Sequence, residues 1–392
     1  MIGESGRIGI VFELDEGRKK ILLWVIVCAI IFFGIGGLLV FSYFYNNRCY
    51  TKYQVVSEVE RSDSNNVIYQ YFQKNLLKYS QSGISLIDTK GKTLWNGGFE
   101  MKQAQVDTCG EQVIAADIGG NSFHIYNGKD EGVGMETTYP IARAKVSAQG
   151  IAAVLEQDTE GDSLKVYNPS ANTTKLLIEI PSNVTEEGYP LDFDISPDGT
   201  ALVASYMTVD GTEAKWKVNF YNFTDIGQDK NLLVGGREYD TQMVAGINFI
   251  DTDHVVIYRE KGFDIYSGMK EPKPVFEKNF EDQIVSIANS DKYIGVVTTD
   301  KSQKNKRLSV FTPEGKTVLE CPIDYEYTDF HIYGEELFFN STHHIDIMRM
   351  NGRPKFSSDF DVELTGVFPG GRSVEYIVVD HHTIRRIRMK SR

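Results

Sequence analysis

Apolar residues follow two regimes along this chain. Between residues 21 and 45 they run almost without interruption, ILLWVIVCAIIFFGIGGLLVFSYFY, and no charged side chain occurs. After residue 50 they alternate with polar residues in short runs broken by Gly, Asn, Asp and Pro. The first regime predicts one helix, which at 1.5 Å per residue spans about 37 Å and can cross a bilayer with some tilt. The second, with its period of two and its turn residues, predicts an all-β domain.

One strand pattern recurs: apolar, any residue, apolar, then a large apolar or aromatic side chain. The copies are ISLID (84–88), FHIYN (123–127), LKVYN (164–168), VNFYN (218–222), FDIYS (263–267), LSVFT (308–312) and IDIMR (345–349). IRRIR (384–388) is a weaker eighth, with Arg386 where an apolar residue is expected. Their fourth residues lie 37 to 54 positions apart, mostly within the spacing of four-stranded propeller blades. A second element precedes many copies, as in AKVSAQG (144–150), FDISPDG (193–199), INFIDTD (247–253) and VSIANSD (285–291). These segments read as the innermost strands. The apolar runs after them, such as IAAVL (151–155) and HVVIY (254–258), suit strands covered on both faces.

The pattern therefore predicts a β-propeller of eight four-stranded blades, with seven as the alternative, preceded by one transmembrane α-helix. Residues 362–390 supply three strands of a last blade, and 53–60 form a strand with no partner of its own. Pairing the two closes the ring and leaves no exposed edge. The expected organisation is a cytoplasmic tail (1–20), a transmembrane helix (21–45), a short stalk (46–52) and an extracytoplasmic propeller (53–392) closed by strand 53–60.

Charge sets the orientation. Arg18, Lys19 and Lys20 abut the apolar run, whereas Arg48, Lys52 and Arg61 are spread out beyond it; the positive-inside rule then puts the N-terminus in the cytoplasm and the propeller outside. Trp24 and the Tyr43–Phe44–Tyr45 cluster suit the two interfaces. The formal net charge of −13 belongs to the part after the helix, and such a surface argues against nucleic acid as a partner. The four cysteines, Cys28, Cys49, Cys109 and Cys321, show no ligand spacing. Cys109 and Cys321 read as small buried hydrophobes, their pairing left open.

The segment KYSQSGISLIDTKGKTLWNGGFEMKQAQVDTCG (78–110) resembles a family of uncharacterised single-pass, membrane-anchored β-propellers from Gram-positive anaerobic bacteria, and the likeness extends from Lys19 to the end. GISLIDTKGKTLW also resembles the repeat of quinoprotein-like propellers, which implies that Trp95 docks on the next blade. DISPDGT (194–200) is similar to turns of WD-type propellers. That family carries no assigned activity, so the resemblance implies fold and topology.

No HExxH pair, GxxxxGK[ST] loop or GxSxG elbow occurs. The adjacent histidines 343–344 and 381–382 would point to opposite faces of a strand and cannot chelate one ion together. No metal, cofactor or catalytic residue is expected. Propeller geometry places any ligand site at the mouth of the central channel, where the innermost strands carry Lys145, Asp194, Asn248 and His331. The sequence reading is thus a non-catalytic protein-interaction platform of the cell envelope, held in the lipid bilayer through 21–45, with an envelope protein as partner. The alternative is an extracytoplasmic enzyme or carbohydrate-binding sensor using the channel mouth.

Overall fold

A computed structural model describes residues 16–390 apart from 64–65, 129–131, 159–160, 171–172, 183–186, 212, 230 and 241, and, inside helices and strands, the side chains of 16–22, 39, 41–42, 44–46, 170, 173–175 and 210. Most of the tail assigned to 1–20 lies outside the described residues. Contacts divide the chain into two compact units, Met1–Cys49 and Tyr50–Arg392.

The first unit contains helix α1, Glu16–Asn46. Its described side chains are apolar on every side and exposed, with Trp24 at 70%, Phe32 at 74% and Phe33 at 76%. Side chains are described without a break only over 23–38; among the described residues no helix is long and apolar enough to cross a membrane.

The second unit is an eight-bladed propeller of four-stranded antiparallel sheets, which excludes the seven-bladed alternative. Blades 1 to 7 use consecutive strands within 68–98, 104–136, 141–182, 189–239, 244–279, 283–323 and 329–359. Blade 8 takes three strands from 364–390 and its outermost from Lys52–Glu60. The recurring fourth residue of the repeat holds the blades together. Ile87, Tyr126, Tyr167, Tyr221, Tyr266, Phe311, Met348 and Ile387 are all buried, each in a cluster that mixes side chains of neighbouring sheets. The second strand of a blade is sandwiched on both faces, hence the unbroken apolar runs: Val255–Arg259 and Ile294–Thr299 are buried at every position. Trp95 stacks on Tyr126 of blade 2 with centroids 5.3 Å apart, and that contact requires Gly97, where a Cβ would lie 2.3 Å from the Tyr126 ring.

Ring closure uses eight paired positions, from Lys52↔Lys390 to Glu60↔Thr383. Two arginines of the eighth repeat find carboxylates within their own blade, Arg385 at 2.5 Å from Asp380 and Arg388 at 2.7 Å from Glu375, whereas Arg386, at the position expected to be apolar, is half-buried with its Nε lacking a hydrogen bond. A second latch precedes the closure strand. Tyr50 bridges in parallel to Phe356 of blade 7, donating to the Lys355 carbonyl (2.9 Å) and accepting from the Ser357 N–H (3.0 Å), and Tyr53 stacks on Phe360 at 4.9 Å. Part of the segment assigned to a stalk is therefore docked on the propeller.

Because strands alternate in direction, connections between blades and between second and third strands lie on one face, here called upper, where inner strands begin. The lower face carries the other turns. Lys52 pairs with the last residue of Thr383–Lys390, so the closure strand starts at the lower face.

Candidate functional site

The inner strands of adjacent blades diverge and share no ladder, so their backbone N–H groups need other acceptors. Side chains supply them in one arc of the channel. Asp107 of blade 2 accepts from Val146 N–H of blade 3 (3.0 Å), and Gln105 accepts from Ala144 N–H (3.3 Å). Asp192 of blade 4 accepts from Ile247 N–H of blade 5 at 2.8 Å, and Asp194 from Phe249 N–H at 2.7 Å.

Blade 3 puts two cations between these carboxylates. Lys145 Nζ lies 3.4 Å from Asp107 and 3.6 Å from Asp194. Arg143 Nη1 lies 2.8 Å from Asp192 Oδ1, without an N–H aimed at that oxygen, so the contact is electrostatic rather than a hydrogen bond. Burial works against the Lys145 ammonium, but Asp194, Asp107 and Asp192 outweigh it and hold the group above its ordinary pKa. Burial raises the Asp194 carboxyl; Lys145 opposes the rise, the Asp107 charge adds to it, and the outcome is about 6. Two carboxylates thus share one ammonium. Cys109 sits at the lower end of the same wall, and burial, with the Asp107 and Asp194 charges, pushes its thiol up to about 11, far from a reactive thiolate. Neither Cys109 nor Cys321 is in a disulfide.

Of the four candidate residues, the structure brings three to one arc. Lys145 and Asp194 are each other's partners. Asn248 lies between the two residues whose N–H groups bind Asp192 and Asp194, and its side chain is half-buried. His331 belongs to blade 7, across the ring. It keeps accessible surface, stacks on Tyr333 at 5.7 Å, and desolvation by the protein packed around it lowers its pKa against the Asp329 charge. No single site contains all four.

Sequence reading missed two kinds of polar group. One is the ion pair inside a blade, such as Arg259–Asp264 at 2.6 Å, both almost fully buried, with Tyr239 Oη donating to Asp264 at 2.8 Å. Its only signal is a charge ending or interrupting an apolar strand. The other is a group on blade 7 with the outline of a hydrolase triad: His344 Nδ1 is 2.6 Å from Asp359 and Nε2 is 3.2 Å from Ser357 Oγ. Nε2 also faces Asp346 at 3.2 Å. Burial lowers the His344 pKa, but Asp359 and Asp346 more than reverse this and the net shift is upward. Carboxylates at both ring nitrogens favour the protonated form, which works against a base that would take the Ser357 proton, so the group reads as a charge cluster rather than a triad. Among the described residues no group of three His, Cys, Asp or Glu is arranged to hold a metal ion.

Residues 46–389 match the family described as "Family of unknown function (DUF5711)". The chain belongs to that family. No curated protein matches it. Similar solved structures include BamB from Moraxella catarrhalis, at 11% identity and TM-score 0.49, covering 86% of this chain and 100% of that one. Kluyveromyces lactis Hsv2p gives 11% identity and TM-score 0.48 over 75% of this chain and 97% of that one. The Myceliophteria thermophila Cps50 (Swd1) β-propeller domain gives 7% and 0.48 over 76% and 97%. At these identities and scores the likenesses say nothing about activity or partners.

Proposed function

We propose that the protein is a non-catalytic binding platform, held at a membrane by α1 with its propeller outside the cytoplasm, and that a protein partner docks on the upper face. The observation that carries the platform reading is a set of apolar side chains at the upper mouth that the fold itself leaves outside. In blades 3 to 6 and 8 the inner strand has a bulge after its first or second residue, at 142, 191, 245, 285 and 365. A bulged residue is unpaired and re-aimed. Two of these are large and exposed, Leu191 at 37% and Val285 at 43%, and Tyr189 (48%) and Met243 (46%) stand beside the same strand starts. The charged groups of the channel wall in blades 2 to 5, in contrast, are engaged with one another or with the neighbouring blade's backbone, which leaves little chemistry for turnover there.

Anchoring rests on the uncharged run 21–45 and its basic boundary at 18–20, together with a helix that shows no polar stripe. Such a helix needs an apolar surrounding on all sides. Protease added outside wall-stripped cells should digest the propeller; protection that persists until lysis refutes the orientation. For the platform, Leu191→Lys with Val285→Lys should abolish co-purification of the membrane partner, whereas Asp194→Asn and His331→Gln should leave it intact. A turnover reaction lost on either of the latter substitutions would overturn the reading.

A further inference from the structure

The upper face is chemically uneven. Four successive connections between blades, from blade 4–5 to blade 7–8, carry Asp240, then Glu281 and Asp282, then Asp324 and Glu326, then Asp361 and Glu363, and contain no Lys or Arg. All seven carboxylates are exposed. Glu326 meets Lys306 at 2.5 Å and Glu363 meets His381 at 3.6 Å; the other five have no ion-pair partner among the described residues. Unpaired like charges along one arc repel each other and gain from a cation brought from outside.

A cleft of about 540 Å³ opens in this arc between blades 5 and 6. Met243, Ala245 and Ile284 give it an apolar side toward the channel mouth, and Glu260, Glu281 and Asp282 line its rim with Lys261 and Lys301. Two lining residues that are more than nine-tenths buried keep polar atoms without a hydrogen bond: Thr299 Oγ1, in a residue 2% exposed, and Arg259 Nε, in a residue 6% exposed. The remaining guanidinium nitrogens of Arg259 are engaged by Asp264, Gln242, Asn279 and the Lys278 carbonyl. Its charge is thus neutralised within the blade, and it does not make the cleft an anion site. Thr299 Oγ1 and Arg259 Nε are both shut off from solvent, so the cleft offers a guest its apolar side and its acidic rim.

We infer that the cleft between blades 5 and 6 receives an extended segment of a cationic polypeptide. One apolar side chain fills the volume against Met243, Ala245 and Ile284, and flanking Lys or Arg residues meet Glu281, Asp282 and the carboxylates of the neighbouring connections. This rests on the platform reading and names the partner's chemistry and its seat. The bulged residue of blade 5 is Ala245; its small side chain leaves the cleft open toward the channel mouth, where blades 4 and 6 carry Leu191 and Val285. An opposing strand of net positive charge has both a socket and a field to orient it.

The test uses the full chain in neutral detergent micelles and a fluorescein-labelled peptide of alternating lysine and leucine, read by anisotropy, with empty micelles as the blank. Peptides alternating glutamate with leucine and lysine with glycine serve as comparisons. The lysine–leucine peptide should bind tightest and weaken as salt rises. Glu281→Lys with Asp282→Lys should weaken it at least about tenfold, the size of effect seen when close interfacial charge pairs are reversed. Ala245→Leu, which fills the cleft without changing charge, should weaken it too. Charge reversal on the lower face, Asp291→Lys with Glu314→Lys, should leave it unchanged. Equal loss from upper and lower reversals, equal binding of the lysine–glycine peptide, or displacement by micromolar calcium would overturn the inference. If Leu191→Lys with Val285→Lys abolishes capture of the membrane partner while Glu281→Lys with Asp282→Lys does not, the platform stands and the cleft is not its seat.

Discussion

Replacing Lys145 by methionine keeps the length of the side chain and removes the one ammonium that Asp107 and Asp194 share. Asp194 is 7% exposed, and Lys145 lies 3.4 and 3.6 Å from the two carboxylates. Taking one partner out of a buried ion pair costs about 3–5 kcal/mol, because the remaining charges stay desolvated. For a domain of this size the unfolding entropy makes that roughly 4–7 °C in Tm. The loss should depend on pH in a defined direction. Burial already raises the Asp194 carboxyl to about 6 against the opposing charge of Lys145, and removing that charge raises it further. A carboxyl whose pKa is higher folded than unfolded binds more protons in the native state between those two values, so stability rises as pH falls through the folded pKa. Melting curves of the full-length variant and the parent at pH 7.5 and pH 5.0 should therefore show a large gap at the first pH and a smaller one at the second. A gap below about 1 °C at pH 7.5, or one that is the same at both pH values, would refute the view of Lys145 as the clasp between blades 2 and 4.

Deleting residues 1–60 should leave the edge Thr383–Lys390 unpaired and produce concentration-dependent aggregation by light scattering, whereas a chain starting at Cys49 should stay monomeric and melt in one transition. Equal behaviour of the two refutes closure as the stabilising device. His344 has a raised pKa, so its ion cluster with Asp359 and Asp346 contributes fully below about pH 6.5 and is lost as pH rises through the higher folded value. His344→Gln should accordingly lower Tm at pH 6 more than at pH 8.5, and the reverse order contradicts the sign. Trp95→Ala should cost about 3–5 kcal/mol by removing the stack on Tyr126 between blades 1 and 2, and a shift under about 1 °C would show that the contact does not couple them.

The eight-fold pattern was legible because each blade needs the same buried large residue in its third strand, so Tyr126, Tyr167, Tyr221, Tyr266 and Phe311 recur at blade spacing. Even the degraded copy at 384–388 is legible, because Ile384 and Ile387 keep the buried positions of the pattern although Arg386 replaces the apolar residue between them. The bulges that expose Leu191 and Val285 were not legible. A bulge is a one-residue register shift set by how an inner strand bends around the channel, and the residues involved, from Ala to Thr, have no common chemistry. The Tyr50 latch was equally hidden, since one parallel bridge to Phe356 leaves no periodicity to read. The pocket lining between blades 5 and 6 joins residues from 243 to 301, a grouping that only the packing of two blades creates.

Polar residues in an inner strand suggest ligand binding, and the channel shows why that inference is weak in this fold. Inner strands of adjacent blades splay apart, so one blade's N–H groups have no partner in the next unless a side chain bridges the gap. Asp and Gln at alternate positions do this at Gln105, Asp107, Asp192 and Asp194, and cations on blade 3 then balance the carboxylates. In that arc the channel-facing polar residues are thus committed to joining blades, whatever the protein binds. Charges that satisfy nothing in the fold are a different matter. The carboxylates of Asp240, Glu281, Asp282, Asp324 and Asp361 have no ion-pair partner among the described residues and sit on connections that need only turn the chain. They add mutual repulsion to the native state without a compensating contact, which stability alone does not explain. A partner's surface is where that repulsion can become attraction, so the upper connections rather than the channel wall are where function should be sought in this propeller.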